Sequence, residues 1–527
     1  MKKLYSFGAL ALALLASSMV FGQRYVDIPA STDPTMPTDI YDPIIGDTTA
    51  TGDRTDNNTI YRLENGKTYV FSRLLRNTSE WPLQIEAADL SNTDLKPALV
   101  ALPNTSGVYP SFLTAEGDVT FRNLWIIVGE NGPLNDHKFG SLRLAGPGTR
   151  MIVEDCILEK ERGGFIQVRA DSVKVYVDNC ILRNGGNRRI LQGNGRGIDF
   201  REFTIDTLIM TNTVVHNIVD RFVRSQGSVA PHNYIEIDHC TSFNHSGRHG
   251  FIQLGQVRTA VITNNLFINP IMAGTTPRYA DEQNQPDGDA HKVITLDTLY
   301  SFTQLTISNN NIFWTQDVLD YWASNDSVSQ PAVLSQLVKE SLGADTSGAY
   351  FSEVIALESV PQSILPYVQD LYSNPAATDM FDIIVEDSLA AGGPTDSGNL
   401  FDFATFSVCY DENTQSATAS TTGGPVGAVT GCQFSTSIAD RYSLSLAVVP
   451  NPVGSEAGFT FELTQAGVVT LDIYDLSGRR CATVWSGVLP AGAQRLRWEV
   501  PAHLGSGLYL ASLRAAGQVQ TLKLIVD

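Results

Sequence analysis

The chain has 527 residues, of which 17% are charged and 43% hydrophobic, with a formal net charge of −20. That length exceeds one ordinary domain, and that apolar content can fill a large core. The acidity argues against nucleic acid as a partner, and the 43 glycines, with many Asn, Asp, Ser and Thr, favour an all-β, turn-rich protein.

The chain opens with Lys2 and Lys3, an apolar run from Phe7 to Leu15, and small residues up to Phe21-Gly22-Gln23. A charged start, a short apolar core and a plausible cut site predict a signal peptide over 1–22. No later stretch has 18 uninterrupted apolar residues, so no transmembrane segment is expected. Residues 23–58 are rich in Pro, Thr and Asp and read as a loose lead-in. Alternation then begins at Ile60–Val70 around Asn65-Gly66 and continues in short strands at Pro82–Ala87 and Lys96–Val100.

From Val119 a motif recurs: apolar residues, then Asn, Asp or His, then Cys, Asn or Thr, then more apolar residues. Its copies include Val153-Glu154-Asp155-Cys156-Ile157, Val177-Asp178-Asn179-Cys180-Ile181 and Ile237-Asp238-His239-Cys240-Thr241. The turn position falls at 123, 155, 179, 212, 239, 264 and 309, with spacings between 24 and 45. Such a period, in strands and polar turns, is the mark of a β-solenoid. Asn at the turn tolerates left-handed dihedrals and can bond to its neighbour in the next coil. Cys156, Cys180 and Cys240 share one phase and read as stacked small hydrophobes. Cys409 and Cys432 lie outside the repeat and remain open as one bridge.

A second strand lies between copies, at Gly164–Arg169, Gly197–Arg201, Arg221–Arg224 and Gly250–Leu254. Two recurrent strands per turn predict a right-handed parallel β-helix over 59–432. Residues 316–390 break the repeat as a partly helical insertion, with helices at Ala332–Leu342 and Leu365–Tyr372. Ala417–Gly427 is expected to complete the last coil. Residues 433–443 form a linker, and 444–527 a small β-sandwich.

With the Asn-Cys-Ile-Leu rungs, the Gly66-Lys67-Thr68-Tyr69 opening and the Thr418–Gly427 ending, residues 60–430 resemble the pectate-lyase-like β-helix proteins that Bacteroidetes secrete. The resemblance lies in the fold, which hosts lyases, hydrolases, adhesins and binders alike. The tail carries Val449-Pro450-Asn451-Pro452, alternating strands at Thr460–Leu463 and Val468–Tyr474, a turn at Asp475–Arg479, and a last strand at Lys523–Val526. This order resembles the C-terminal sorting domain of the type IX secretion system; the alternative is an ordinary terminal Ig-like sandwich. The resemblance implies passage through the periplasm to the medium or outer-membrane surface, with the type IX machinery as partner.

Charge is uneven. Residues 141–260 hold 15 Lys and Arg against 12 Asp and Glu, and five of the eight His, while the rest is strongly acidic. A basic, His-rich zone on an acidic protein points to an anionic ligand, and in this fold to an acidic polysaccharide. If Ile166/Val168 and Ile198/Phe200 face inward, Gln167/Arg169 and Asp199/Arg201 face outward. Arg221 and Arg224 continue the band, with which of them faces out left open, and His245, Arg248 and His249 sit on the next loop. A uronate lyase needs a base and positive charge on the carboxylate. The candidate catalytic residues are therefore Arg201, Arg224, His245 and Arg248; Gln167, Arg169, Asp199, Arg221 and His249 are candidate substrate contacts. The plainer alternative is a solvated face on which Arg169 and Arg201 pair with Asp199 and Glu202. No metal site is assigned, although Asp281-Glu282 and Asp287-Gly288-Asp289 offer carboxylates to calcium. Two functions stay open: a polysaccharide lyase, and a non-catalytic glycan-binding protein or adhesin.

Overall fold

The computed structural model describes residues 24–526 apart from 34, 104, 106–109, 129–141, 162, 187–194, 226, 248, 276–290, 361–362, 374–405, 430–431, 433, 435–445, 464–466, 476–479, 491, 502–503 and 516–517. Three all-parallel sheets of ten, eleven and eight strands run the length of the first domain. Each coil passes from the first sheet to the second and then the third. One such coil is Val173–Asp178, Ile181–Gly185 and Arg196–Arg201. Its residues pair in register with the coils on either side, as in Val175↔Leu208 and Leu182↔Val215. Parallel strands joined in this way wind right-handed, so the all-β, right-handed parallel β-helix is the architecture found.

Period-2 alternation sets the interior. Val175, Val177, Leu182, Ile198 and Phe200 all point into one continuous core. The turns between the first and second sheets are left-handed at Asn123, Asp155, Asn179, Asn212, His239, Asn264 and Asn309, with φ between 48° and 58°. These are the seven positions that the repeat singles out. The residue after each turn points inward and builds a ladder: Cys156 N–H donates to Cys180 Sγ, Cys180 N–H to Thr213 Oγ1, and Cys240 N–H to Asn265 Oδ1. All three cysteines are buried free thiols. A second left-handed ladder runs along the C-terminal ends of the second-sheet strands at Asn184, Asn217, Asn244 and Asn269. Asn217 Nδ2 bonds Asn184 Oδ1 at 3.2 Å, and Asn244 Nδ2 bonds Asn217 Oδ1 at 3.0 Å. Each residue stands five after its partner in the first ladder, a spacing that the sequence reading passed over.

Three expectations change. The lead-in supplies the first rung, since Arg24–Ile28 pairs in parallel with Thr59–Leu63. The insertion closes one end of the solenoid: helices Gln316–Ala323 and Gln336–Leu342 bury Val318, Trp322, Val338 and Leu342 against the core. Trp322 Nε1 donates to the Met272 carbonyl at 2.9 Å. Gln316–Ala323 was not foreseen, while Leu365–Ser373 lies where a helix was expected. Finally, residues 406–429 complete no coil. They run back outside the second sheet as a strap, with Thr421 N–H on Asn264 Oδ1, Ala428 N–H on Thr241 Oγ1, and Asn309 Nδ2 on the Ala419 carbonyl. A Cys409–Cys432 disulfide ties the strap.

The C-terminal region is antiparallel. A sheet of Ala447–Val449, Glu456–Leu463 and Gly492–Glu499 faces one of Gly467–Tyr474, Arg480–Leu489, Gly507–Ala515 and Gln518–Val526. Phe459, Phe461, Leu471, Ile473, Trp498 and Leu513 form the core of this sandwich. Among the described residues, no helix is long and apolar enough to cross a membrane.

Candidate functional site

The third sheet carries the charge. Its register aligns Arg143, Gln167, Asp199 and Arg224 in one outward column, with Leu142, Ile166, Ile198 and Val223 facing the core beside them. Arg169 lies one residue past the end of its strand and Arg201 ends its own after a register shift, and both side chains are partly exposed. The outward assignment of Gln167, Arg169, Asp199 and Arg201 therefore holds. Of the open pair, Arg224 reaches the outside and Arg221 does not: Arg221 is 2% exposed.

Two buried aspartates organise the guanidinium groups. Asp199 Oδ2 is 3.1 Å from Arg196 Nη1 and 4.0 Å from Arg201 Nη2, and its Oδ1 is 3.8 Å from Arg224 Nη1. Asp220 Oδ2 is 2.8 Å from Arg196 Nε and 3.9 Å from Arg221 Nη1, and its Oδ1 accepts from His249 Nδ1. Arg196 thus bridges both carboxylates. Burial opposes ionisation of Asp220, yet His249, Arg221 and Arg196 hold its carboxyl well below the usual carboxylate range.

The cations feel their own crowding. Burial, reinforced by Arg196 and Arg221, brings Arg224 down to about 9. Burial likewise lowers Arg169, which also faces Arg201. Arg196, Arg201, Arg221 and Arg224 lie within 4.0 Å of Asp199 or Asp220, Arg143 and Arg169 stand beside them, and Asp297 also acts on Arg221. Among the described residues, Arg143 Nε, Gln167 Nε2, Arg201 Nε and Arg221 Nε are buried donors with no hydrogen-bond acceptor. Such unsatisfied donors are uncommon in folded proteins and call for a physical reason.

Not every candidate belongs here. His245 is fully buried at the end of the second-sheet strand Thr241–His245. Its Nδ1 accepts the Ile271 N–H at 3.0 Å, and its ring stands edge-on to Phe251 at 4.7 Å. Burial pushes it down to about 3, so this ring is a neutral packing group and is withdrawn from the catalytic set. Gln167 and Asp199 are fully buried and Arg221 nearly so, which makes them supports for the outer guanidinium groups. Arg169, with its Nη2 3.3 Å from Gln167 Oε1, Arg201, Arg224 and His249 are half-buried and reach outward. Arg248 and the acidic loop at Asp281-Glu282 and Asp287-Gly288-Asp289 lie outside the described residues. Among the described residues, no three of His, Cys, Asp and Glu gather as metal ligands.

Arg196, Asp220 and Arg143 were missed. A signal for Arg196 existed: Arg196-Gly197-Ile198-Asp199 and Arg221-Phe222-Val223-Arg224 share an Arg followed three residues later by an outward charged group. Starting the first of these strands at Gly197 hid it. No protein-family model matches the chain, and no curated protein matches it.

Proposed function

We propose that the third sheet binds the carboxylates of an acidic polysaccharide and that the protein is a polysaccharide lyase. The supporting observation is a concentration of positive charge: Arg143, Arg169, Arg201 and Arg224 reach the outer face of the third sheet, on a protein whose net charge is −20. A polyanion with one carboxylate per sugar supplies acceptors along a column of coils spaced by roughly 4.8 Å. Arg169 and Arg201 neutralise the uronate carboxylate, which acidifies the adjacent C–H. A guanidinium in water keeps its proton, but Arg224 is lowered to about 9, within reach of a base acting at alkaline pH. It takes the C5 proton, the C–H pair becomes the C4=C5 double bond, and the C4–O bond breaks. The departing glycosidic oxygen takes a proton from water.

One observation favours a second reading, a non-catalytic glycan binder. Arg196, Arg201 and Arg224 lie within 4.0 Å of Asp199, an arrangement that also suits a purely structural network. Incubation with polygalacturonate, alginate and glycosaminoglycans separates the two, because unsaturated ends absorb ultraviolet light. Under the lyase reading, product forms faster as pH rises towards 9, and Arg224→Ala abolishes turnover but not binding. Retention of a polymer without product at any pH selects the binder, and neither product nor retention sinks both.

The export route belongs to the same proposal. The sandwich at 447–526 is the type IX sorting domain, and the mature protein acts outside the cell or on its surface. A chain ending near Ser443 is expected to stay in the periplasm of the native host; normal secretion of that truncation overturns the assignment.

A further inference from the structure

Beneath the strap, on the outer side of the second sheet, lies a cavity of about 500 Å³ that the third-sheet site does not involve. Its floor is apolar, with Ile157, Ile181 and Val214 from three successive coils and Val408 from the strap. The volume falls within the range of small-molecule sites, about 300–1,000 Å³. Its two sides come from residues far apart in sequence, and Cys409 and Cys432, which both line it, are disulfide-bonded. The strap is thereby tied where it closes the cavity.

The polar groups define what fits. Lys96 lines the cavity and is 5% exposed. Its Nζ donates to Asn123 Oδ1 at 2.7 Å and to the Asp155 carbonyl at 2.6 Å. Among the described residues it forms no ion pair. A buried ammonium held only by neutral oxygens is costly unless something further accepts from it. Asn179 and Asn212 also line the space. Their amide nitrogens are taken by Asp155 Oδ1 and Asp178 Oδ1, which leaves their carbonyl oxygens as acceptors. Two carboxylates, Asp94 and Glu358, complete the wall, with Ser407 Oγ donating to Glu358 Oε2 at 2.9 Å.

We propose that this cavity binds one neutral sugar unit. The ammonium disfavours a cation, and the two carboxylates disfavour an anion. A neutral ligand rich in both donors and acceptors remains, with an apolar face for the Ile–Val floor. A pyranose has this chemistry: hydroxyls that give to carboxylates and amide oxygens and accept from an ammonium, over a C–H face. The site is thus distinct in ligand charge from the third sheet and does not rest on the reading of that sheet.

Saturation-transfer NMR on the full mature protein tests it, with glucose, galactose, mannose, xylose and fucose as single probes and galacturonate as contrast. At least one neutral sugar is expected to give a saturable signal that galacturonate does not displace. Its affinity falls at least tenfold in Glu358→Gln, an exposed position where folding is not at risk, and the signal vanishes in Val214→Trp, which fills the floor. Lys96→Met separates binding from structure. A melting temperature at or above that of the parent, with the signal lost, supports the site. A lowered melting temperature with the signal kept makes Lys96 a structural residue and overturns the proposal. So does silence from all five neutral sugars, or a signal that persists in Glu358→Gln and Val214→Trp. Arg201→Ala and Arg224→Ala leave the sugar signal unchanged, so failure here and failure at the third sheet are read separately.

Discussion

The second and third sheets belong to the same coils, yet their outer faces are finished in opposite ways. Outside the second sheet, Trp125, Ile157, Val214, Phe243 and Leu266 form an apolar surface that the strap covers with Phe406, Val408, Tyr410 and Ala428. His216 packs there against both Phe243 at 4.7 Å and Phe406 at 5.1 Å. A buried ion pair lies there: Arg183 meets Glu159 at 3.1 Å, and Trp125 Nε1 donates to the same carboxylate at 2.9 Å. Outside the third sheet the charged groups are in surplus and several donors lack acceptors. Away from the cavity the second-sheet face is covered by the strap, whereas the third-sheet face carries an excess of guanidinium groups. A stability defect without a loss of polyuronate binding is therefore expected from the aromatic packing of the second-sheet face, and the converse from the solvent-reaching arginines of the third.

The largest stability effect should come from a point where the third sheet behaves like a core. Asp220→Asn removes a fully buried carboxylate from between Arg196, Arg221 and His249. Removing one partner of a buried ion pair costs about 3–5 kcal/mol, because the remaining charge is left uncompensated. Denaturant unfolding at neutral pH measures it. A change below about 1 kcal/mol would mean that water reaches this pair and that the aspartates do not organise the site.

Phe406→Ala tests the other face, at a cost of about 3 kcal/mol from lost packing on His216 and Phe243. Polyuronate retention is expected to stay at the parental level. A fall in retention together with stability would show that the two faces are coupled, and the contrast would fail.

Much of this contrast was legible in the sequence, but only on one side of each strand. Alternation placed Ile166, Val168, Ile198 and Phe200 in the core and Arg169 and Arg201 outside, because side-chain direction is a local property of the chain. The turn residues were legible for the same reason: left-handed dihedrals favour Asn and Asp, so the seven turn positions stand out. What covers an outer face is not local. The strap meets the second sheet across sequence separations such as the 157 residues between Asn264 and Thr421, and it carries no periodicity. His245 was misplaced on the same account. It was read as part of a surface loop, whereas the second-sheet strand extends to it and turns it into the core.

Acid provides a third effect, smaller for each group involved, expected chiefly in the coils themselves. His232 and His245 are buried, and burial lowers them to about 4 and about 3 against 6.5 in an unfolded chain. Both accept a backbone N–H at Nδ1, from Ile205 at 3.1 Å and from Ile271 at 3.0 Å. Protonation places an N–H against an N–H and breaks each bond. Below about pH 6.5 the unfolded state binds more protons than the folded one, so stability is full above that pH and falls as pH falls. At about pH 5 each ring accounts for a loss of about 2 kcal/mol. Unfolding curves at pH 7 and 5 check the sum, and His232→Gln should flatten the slope. An unchanged slope would assign the acid sensitivity to other groups.

The smallest effect on stability is the most informative for function. Arg201 has a left-handed backbone at φ 44°, its side chain is 38% exposed, and its nearest carboxylate, Asp199, is 4.0 Å away. A partly exposed pair at that distance contributes at most about 0.5 kcal/mol, and truncating the side chain does not touch the backbone strain. Arg201→Ala should therefore melt with the parent to within that margin. If the outward guanidinium groups bind a polyanion, the same change should weaken polyuronate retention at low salt and flatten its salt dependence, because one fewer cation releases counterions from the bound chain. If they are only part of a structural network, retention will not move while stability drops. Elution from a polygalacturonate gel across a salt gradient, run beside a melting curve, distinguishes these outcomes with one variant. It tests the third-sheet face without assuming that any bond is cleaved.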